Sequence, residues 1–322
     1  MSRRRSHFFH SLARLTRAGV PVEKAGEIIE RHARHDAEAK MLLSLRDGLQ
    51  RGESIAGSLR PSLTAVEYGM VSAAESGGRL SEGFAQLEKY YAAVAEAQRK
   101  MRTALVYPLV LLNFAACASA VPTVMAGGNG LPVIAQALGI LWLALAALWF
   151  GARALCRLAA TSTLADGFLS RLPIAGKAWK LFALARWSAV MHFHIVSAQR
   201  MSAALDAAGA ASGSASLAAA TAQLSAAASA GQSVADEMPR HRVFPSLFCA
   251  GFATAEASGT LDEETRQQMQ HCLEDATSAA TALAEWLPRL FYAIVVLYVV
   301  WQIYRIVGGI AGTYERALDG NF

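Results

Sequence analysis

From Thr103 to Ala152 the chain carries no Asp, Glu, Lys, Arg or His. Roughly 20 apolar residues cross the hydrocarbon core of a bilayer, so this stretch is too long for one span and long enough for two. Gly127-Gly128-Asn129-Gly130, followed by Pro132, interrupts it in the middle. Glycine's backbone freedom and the missing N–H of proline suit a turn there. The spacing predicts a hairpin of two membrane helices, 104–126 and 131–151. A third apolar run covers 287–312, with Trp286, Trp301, Tyr304 and Tyr314 as interfacial aromatics. Arg289 and Arg305 lie near its ends, where long side chains reach headgroups. Buried core helices of a soluble protein are the competing reading, and three runs of this length argue against it. Composition agrees: 54% of residues are hydrophobic and 17% charged, where a soluble domain carries about a quarter charged residues.

Basic residues set the orientation. Arg99, Lys100 and Arg102 precede the first span, Arg153 and Arg157 follow the second, and the connecting loop is uncharged. The positive-inside rule then places 1–103 and 152–286 in the cytoplasm and the short tail 313–322 in the periplasm. His7, His10, Arg14 and Arg17 interrupt any apolar core behind Arg3-Arg4-Arg5, so no cleavable signal peptide is expected. Cys117, Cys156, Cys249 and Cys272 show no C-x-x-C spacing, which argues against a disulfide framework or metal knuckle and fits a reducing compartment. The basic excess (pI near 9.1) is spread over the first domain and the membrane flanks. That distribution suits anionic lipid and argues against a nucleic-acid partner.

The two polar regions are copies of one another. Gly52-Glu53-Ser54-Ile55-Ala56 returns about 180 positions later as Gly231-Gln232-Ser233-Val234-Ala235. Ala74-Glu75-Ser76-Gly77-Gly78-Arg79-Leu80 returns as Ala255-Glu256-Ala257-Ser258-Gly259-Thr260-Leu261, and Pro108 returns as Pro288 at the next apolar run. Apolar residues recur at helical spacing (Phe8, Phe9, Leu12, Leu15; Val22, Ala25, Ile28, Ile29; Leu42, Leu45, Leu49) and nowhere in sustained alternation. The expected class is all-α: two homologous cytoplasmic antiparallel helix bundles plus three transmembrane helices. Gly19 supplies a left-handed helix end and Pro21 opens the next helix. The second copy has Ser197-Ala198-Gln199-Arg200-Met201 at that place, so its break is expected to be weaker. Residues 203–230 are rich in Ala, Ser and Gly, and with few large apolar side chains a loosely held packing is expected.

L-x-x-L-x-x-A-G-V-P, a G-x-S-(I/L)-A turn and A-G-E-x-x-G-x-L, in this order and ahead of an apolar run, resemble the type II secretion system F family. The resemblance covers almost the whole chain, including the duplication and the three-span layout. Its departures are Ala74 and Ala255 where the family has glycine, Gly77 where it has serine, and the missing second A-G-V-P. In its brevity the chain is most similar to type IVb and conjugative-pilus versions. The resemblance implies an inner-membrane platform protein of type IV pilus or type II secretion machines, a structural adaptor rather than an enzyme. It implies as partners a cytoplasmic assembly ATPase, pilins or pseudopilins and other inner-membrane assembly proteins. Membrane lipid is the surrounding medium, and because three spans are thin for a platform, a homo-oligomer is expected.

The residues that recur in both copies are the site candidates: Glu75, Gly78 and Leu80 with Glu256, Gly259 and Leu261 at the helix corners, Gly19 and Pro21 at the turn, and Pro108 and Pro288 at the mouth of the membrane runs. Each glutamate is read as a hydrogen-bonding group that fixes the angle of its corner, with a subunit interface or a divalent-cation site as the sharper alternative. No nucleophile, partner acid or base recurs beside them, so catalysis, cofactors and a resident metal are not expected. His192 and His194 are two apart and diverge on a helix. Asn113 in the first span is placed to bond a neighbouring membrane helix. No nucleotide-binding loop of the G-x-x-x-x-G-K-[ST] type is present. The alternative function is a small transporter or channel built from a repeat, but the repeated part is mostly polar and the first two spans lack buried charge.

Overall fold

The computed structural model describes residues 2–30, 36–125, 127–172 and 175–319, with backbone alone for some residues inside the helices. Every regular element among them is helical, as the periodicity predicts. The chain divides into two compact units, residues 1–98 with 153–280, and residues 99–152 with 281–322. The first unit holds both polar segments.

The first copy contributes α1 (Ser2–Arg17), α2 (Val22–Glu30), α3 (Asp36–Gln50), α4 (Ile55–Leu59), α5 (Ala65–Ser76) and the start of α6 (Leu80–Ala118). Its helix starts are coded locally. Ser54 accepts a hydrogen bond from Gly57 N–H at the head of α4, and Thr64 and Glu67 cap one another's backbone at the head of α5, satisfying donors that the first turn leaves unpaired. α7 (Val121–Met125), α8 (Leu131–Ala159) and α9 (Thr163–Arg171) separate the copies. The second copy follows as α10 (Ala175–Val196), α11 (Met201–Ser212), α12 (Ala215–Ser229), α13 (Val234–Glu237), a 3-10 turn at Met238–Arg240, α14 (Ser246–Ser258) and α15 (Leu261–Asp319).

One continuous apolar core runs through both copies. Phe9, Leu12, Leu45, Leu59, Phe84 and Leu87 fill it on one side, and Trp187, Met191, Leu205 and Phe252 on the other. Phe9 stacks near Phe84 and Tyr91, with centroids 6.2 and 5.9 Å away. Trp187 meets Phe244, Phe248 and Phe252 at 5.5, 5.7 and 6.3 Å and donates its indole N–H to Thr221. Burying each such side chain is worth about 1.5–3 kcal/mol. The copies are joined where α5 crosses α10. A Cβ at Gly69 would stand 3.1 Å from a Val190 methyl, so the glycine lets the helices close up, and Ser197 Oγ donates to Ala73 C=O at 2.7 Å.

The Ala-rich middle departs from expectation. α11 and α12 bury Ala204, Leu205, Ala208, Ala211, Leu217, Ala220 and Leu224, and Gly209 faces Thr221 with room for no more than a tight methyl contact. Small side chains here bring the two backbones close, so contact is made without large apolar groups.

In the second unit α6 runs unbroken past residue 99 to Ala118, a turn leads into α7, and Gly127 (φ +77°) begins the loop to α8. Asn129 Oδ1 accepts from Leu131 N–H to start that helix. Two candidate spans, Leu80–Met125 and Leu131–Ala159, have almost no buried residues in their apolar windows. Val110, Phe114, Leu143 and Leu148 are all more than 60% exposed, a surface that water would not tolerate and lipid would. Asn113, expected to bond a neighbouring membrane helix, donates its amide to Leu109 C=O of its own helix at 2.7 Å, a back-bond to the preceding turn. Through the third run, 287–312, α15 has continuous helical backbone, while most side chains of that run lie outside the described residues. So do residues 320–322 of the tail.

Candidate functional site

Three left-handed helix ends recur in register in the two copies, and the second copy has another at Gly213 (φ +66°). Gly19, Gly52 and Gly78 have φ of +79°, +77° and +65°, and their counterparts Gly231 and Gly259 have +75° and +73°. The counterpart of Gly19 is Ala198, which adopts φ +52° as the positive-φ non-glycine residue recorded among the described residues. The hydrogen bonds match too. Val20 N–H reaches back to Leu15 C=O at 3.0 Å, and Gln199 N–H to His194 C=O at 3.0 Å. The second break is therefore as sharp as the first, because the apolar residues on either side demand it and the alanine accepts the strain, roughly 1–2 kcal/mol for an L-residue. Pro21 C=O accepts the first bond of α2 from Ala25 N–H, and Arg200 C=O does the same for α11.

Each corner glutamate reaches back about twenty residues. Glu75 Oε1 accepts from Ile55 N–H at 2.7 Å and Oε2 from Ala56 N–H at 3.0 Å. Glu256 accepts from Val234 N–H at 3.3 Å and Ala235 N–H at 3.1 Å, and from Ser233 Oγ at 2.7 Å. The two repeated motifs are thus one device. The serine of G-x-S-x-A caps the short helix from one side, and the glutamate covers its remaining first-turn N–H groups, where a negative charge also favours the helix dipole. Gly78 and Gly259 end the helices that carry the glutamates, and Leu80 and Leu261 pack against the core at the start of the next ones. Pro108 and Pro288 are placed differently from the other candidates. They fall inside α6 and α15, whose backbone continues helically past both, and neither begins a helix; their side chains lie outside the described residues.

Ala74 is fully buried, and a Cβ at Gly83 would come 2.6 Å from its methyl. In the second copy the position of Gly83 is held by Glu264, and Gly251 leaves room for its carboxylate, which a Cβ at 251 would overlap.

The copies differ most in what they bury. In the first, the completely buried Glu67 pairs with Arg5 through both carboxylate oxygens at 2.7 and 2.6 Å and accepts from Thr64 N–H. Burial, and then the charge of Glu67, push the Tyr91 phenol above its usual range. In register with Arg5, Glu67 and Tyr91 the second copy has Leu184, Phe248 and Cys272, all in the apolar core. Burial, with Asp275 beyond it, pushes the Cys272 thiol up to about 12. No sequence pattern marked Arg5 or Glu67 as partners, since they are 62 positions apart.

Asp166 was also missed. It accepts from Trp179 Nε1 at 2.7 Å, Ser214 Oγ at 2.5 Å and Ser216 N–H at 3.0 Å, fastening α9 to the head of α12. Burial disfavours its charge, but these bonds outweigh it and hold the carboxyl below the usual range. One signal existed: Asp166 is the sole acidic residue between Glu96 and Asp206.

The two corners meet across a cleft of about 350 Å3 lined by Arg17, Arg79, Glu82, His192, Asp262 and Arg266 among others. Arg79 pairs with Glu82 at 2.7 Å, and Arg266 with Glu263. His192 Nδ1 lies 2.9 Å from Asp262 C=O. Burial lowers the pKa of both His192 and His194, and their rings address different neighbours, Asp262 and Val190. Among the described residues no group of three His, Cys, Asp or Glu is arranged to hold a metal ion.

The family profile described as "Type II secretion system (T2SS), protein F" matches residues 8–126 and 195–305. A type II secretion system protein F of Pseudomonas aeruginosa is 26% identical over 319 residues, covering 91% of this chain and 79% of its own length. A type 4 fimbrial assembly protein PilC of Pseudomonas putida is 27% identical over 305 residues, covering 87% and 76%. A type II secretion system protein F of Xanthomonas campestris is 27% identical over 114 residues, covering 34% and 28%.

Proposed function

The chain belongs to the type II secretion system protein F family, and from this we propose that it is an inner-membrane platform protein of a type IV pilus or type II secretion machine. It couples a cytoplasmic assembly ATPase to the addition of pilin or pseudopilin subunits, and it performs no catalysis of its own. One observation carries the reading: the family profile falls twice on this chain, each time running from a polar helical segment into an apolar run. On this reading the N-terminus and both polar segments are cytoplasmic, the third span is the distal part of α15, and the tail is periplasmic.

The role of the paired glutamates follows from their bonds. Glu75 and Glu256 lock α4 and α13 against the corners that lead into the two long helices, α6 and α15. Those helices continue in sequence into the apolar runs, so each corner opens the helix that leads to a span. The cleft where the corners converge is the face we assign to the cytoplasmic partner. Because the two polar segments share one core, deletion of residues 1–100 would disturb both. Point substitution on the intact chain is the cleaner test.

Removing the gene should abolish fibre assembly or secretion while the ATPase remains at its normal level, and normal fibres in such a strain would sink the proposal. With Arg79→Glu and Arg266→Glu together, the chain should still insert and melt normally but lose copurification with the ATPase.

A further inference from the structure

We propose that α9 lies flat on the cytoplasmic surface of the bilayer, with Leu164 and Phe168 in the boundary between headgroups and acyl chains. The proposal rests on the reading that α8 crosses the membrane.

α9 has two faces. Asp166 and Leu169 are buried, and the Asp166 bonds to Trp179, Ser214 and Ser216 hold that face on the first unit. At about 100° per residue, Leu164, Phe168 and Arg171 fall on the opposite side, and Leu172 continues it. Leu164 is 86% exposed and Phe168 62% exposed. Single exposed apolar residues need no explanation, but consecutive turns of one helix that show the same face do.

Charge and chain connectivity name the occupant. The helix begins eleven residues after the charge-free run ends at Ala152, so it cannot stray far from the end of that span. Arg153, Arg157, Arg171, Lys177 and Lys180 surround it in sequence, and the one acidic residue among them, Asp166, points inward. A short helix with large apolar groups on one face and basic residues around it is built for an anionic lipid surface. A protein groove would supply its own carboxylates to such a rim. Gly167, beside Phe168, has nothing within 4 Å of where a Cβ would stand, so among the described residues nothing packs there.

The test uses the full chain in nanodiscs containing anionic lipid, with exposed Cys117 and Cys156 changed to serine and nitroxide labels placed singly through Leu164→Cys, Phe168→Cys, Leu143→Cys and Glu53→Cys. Labels at 164 and 168 should relax several-fold more with oxygen than with a water-soluble nickel chelate, as the mid-span label at 143 should, and the label at 53 should do the reverse. Water-like behaviour at 164 and 168 alone overturns the proposal. Protection from both reagents also overturns it, because protein would then cover the face. Water-like behaviour at 143 instead defeats the spanning reading and this proposal with it. Replacing the anionic lipid by a zwitterionic one should make the label at 168 shallower, and an unchanged depth removes the anionic-lipid part of the proposal.

Discussion

A methyl group at residue 83 would sit 2.6 Å from the buried methyl of Ala74, closer than two carbons can approach without displacing a helix. Gly83→Ala should therefore destabilise the polar unit by about 1–3 kcal/mol. Adding Ala74→Gly should restore most of the loss, and thermal melting of the detergent-solubilised chain would measure both. At Ala198 the expectation is reversed. Its φ of +52° suits glycine, so Ala198→Gly should stabilise the chain by up to about 1 kcal/mol after the entropy of the unfolded glycine is counted. A lower melting temperature would mean that the alanine methyl contributes packing that exceeds its strain. Both positions are in plain sight in the sequence, yet neither constraint can be read there. Whether a methyl fits depends on the distance between two helices, and whether an alanine turns left-handed depends on where its flanking helices must go.

At the scale of an element, α4 and α13 are the instructive cases. Each is five residues or fewer and cannot persist on its own, because nucleating a turn costs more than a few backbone bonds return. They persist because a serine at the start and a glutamate from the next corner satisfy their first N–H groups. Glu75→Ala should cost about 1–2 kcal/mol, Glu75→Gln less since one carbonyl oxygen can still accept, and Glu256→Ala should behave alike. Denaturant unfolding of the full chain reads these differences, and no change in either copy would show that water replaces the carboxylate at no cost. The sequence made both glutamates visible through repetition and suggested a bond across the corner. It did not identify the acceptor's partners, which lie a whole helix upstream.

Across the whole molecule, the half-buried His192 and the buried His194 predict a pH dependence. His192 and His194 have folded pKa values below the ordinary 6.5, so the unfolded chain binds protons that the folded chain refuses. Stability present above about pH 6.5 is lost as the pH falls below it. The melting temperature should drop between about pH 7.5 and 5.5, above the range in which carboxylates titrate. His192→Gln with His194→Gln should flatten that slope, and an unflattened slope would assign it to other groups. The asymmetry between the copies belongs to this scale as well. One holds the buried Glu67 against Arg5 and the neutral Tyr91 where the other buries Leu184, Phe248 and Cys272, so one helical plan is stabilised by two different interiors.

What the sequence by itself determined is local. Apolar spacing specified helices, glycines and caps specified where most of them end, the charge-free run specified two apolar helices, and repetition revealed a duplicated plan. These features depend on residues a few positions apart, or on the absence of charge along a run. What only the tertiary structure decided depends on groups distant in sequence. It packed both copies on one core, closed the Ala-rich pair of helices, turned Ala198 left-handed, and gave Glu67 and Asp166 their partners. A buried carboxylate must be satisfied wherever the fold places it, and the residue that satisfies it carries no mark until the helices have met.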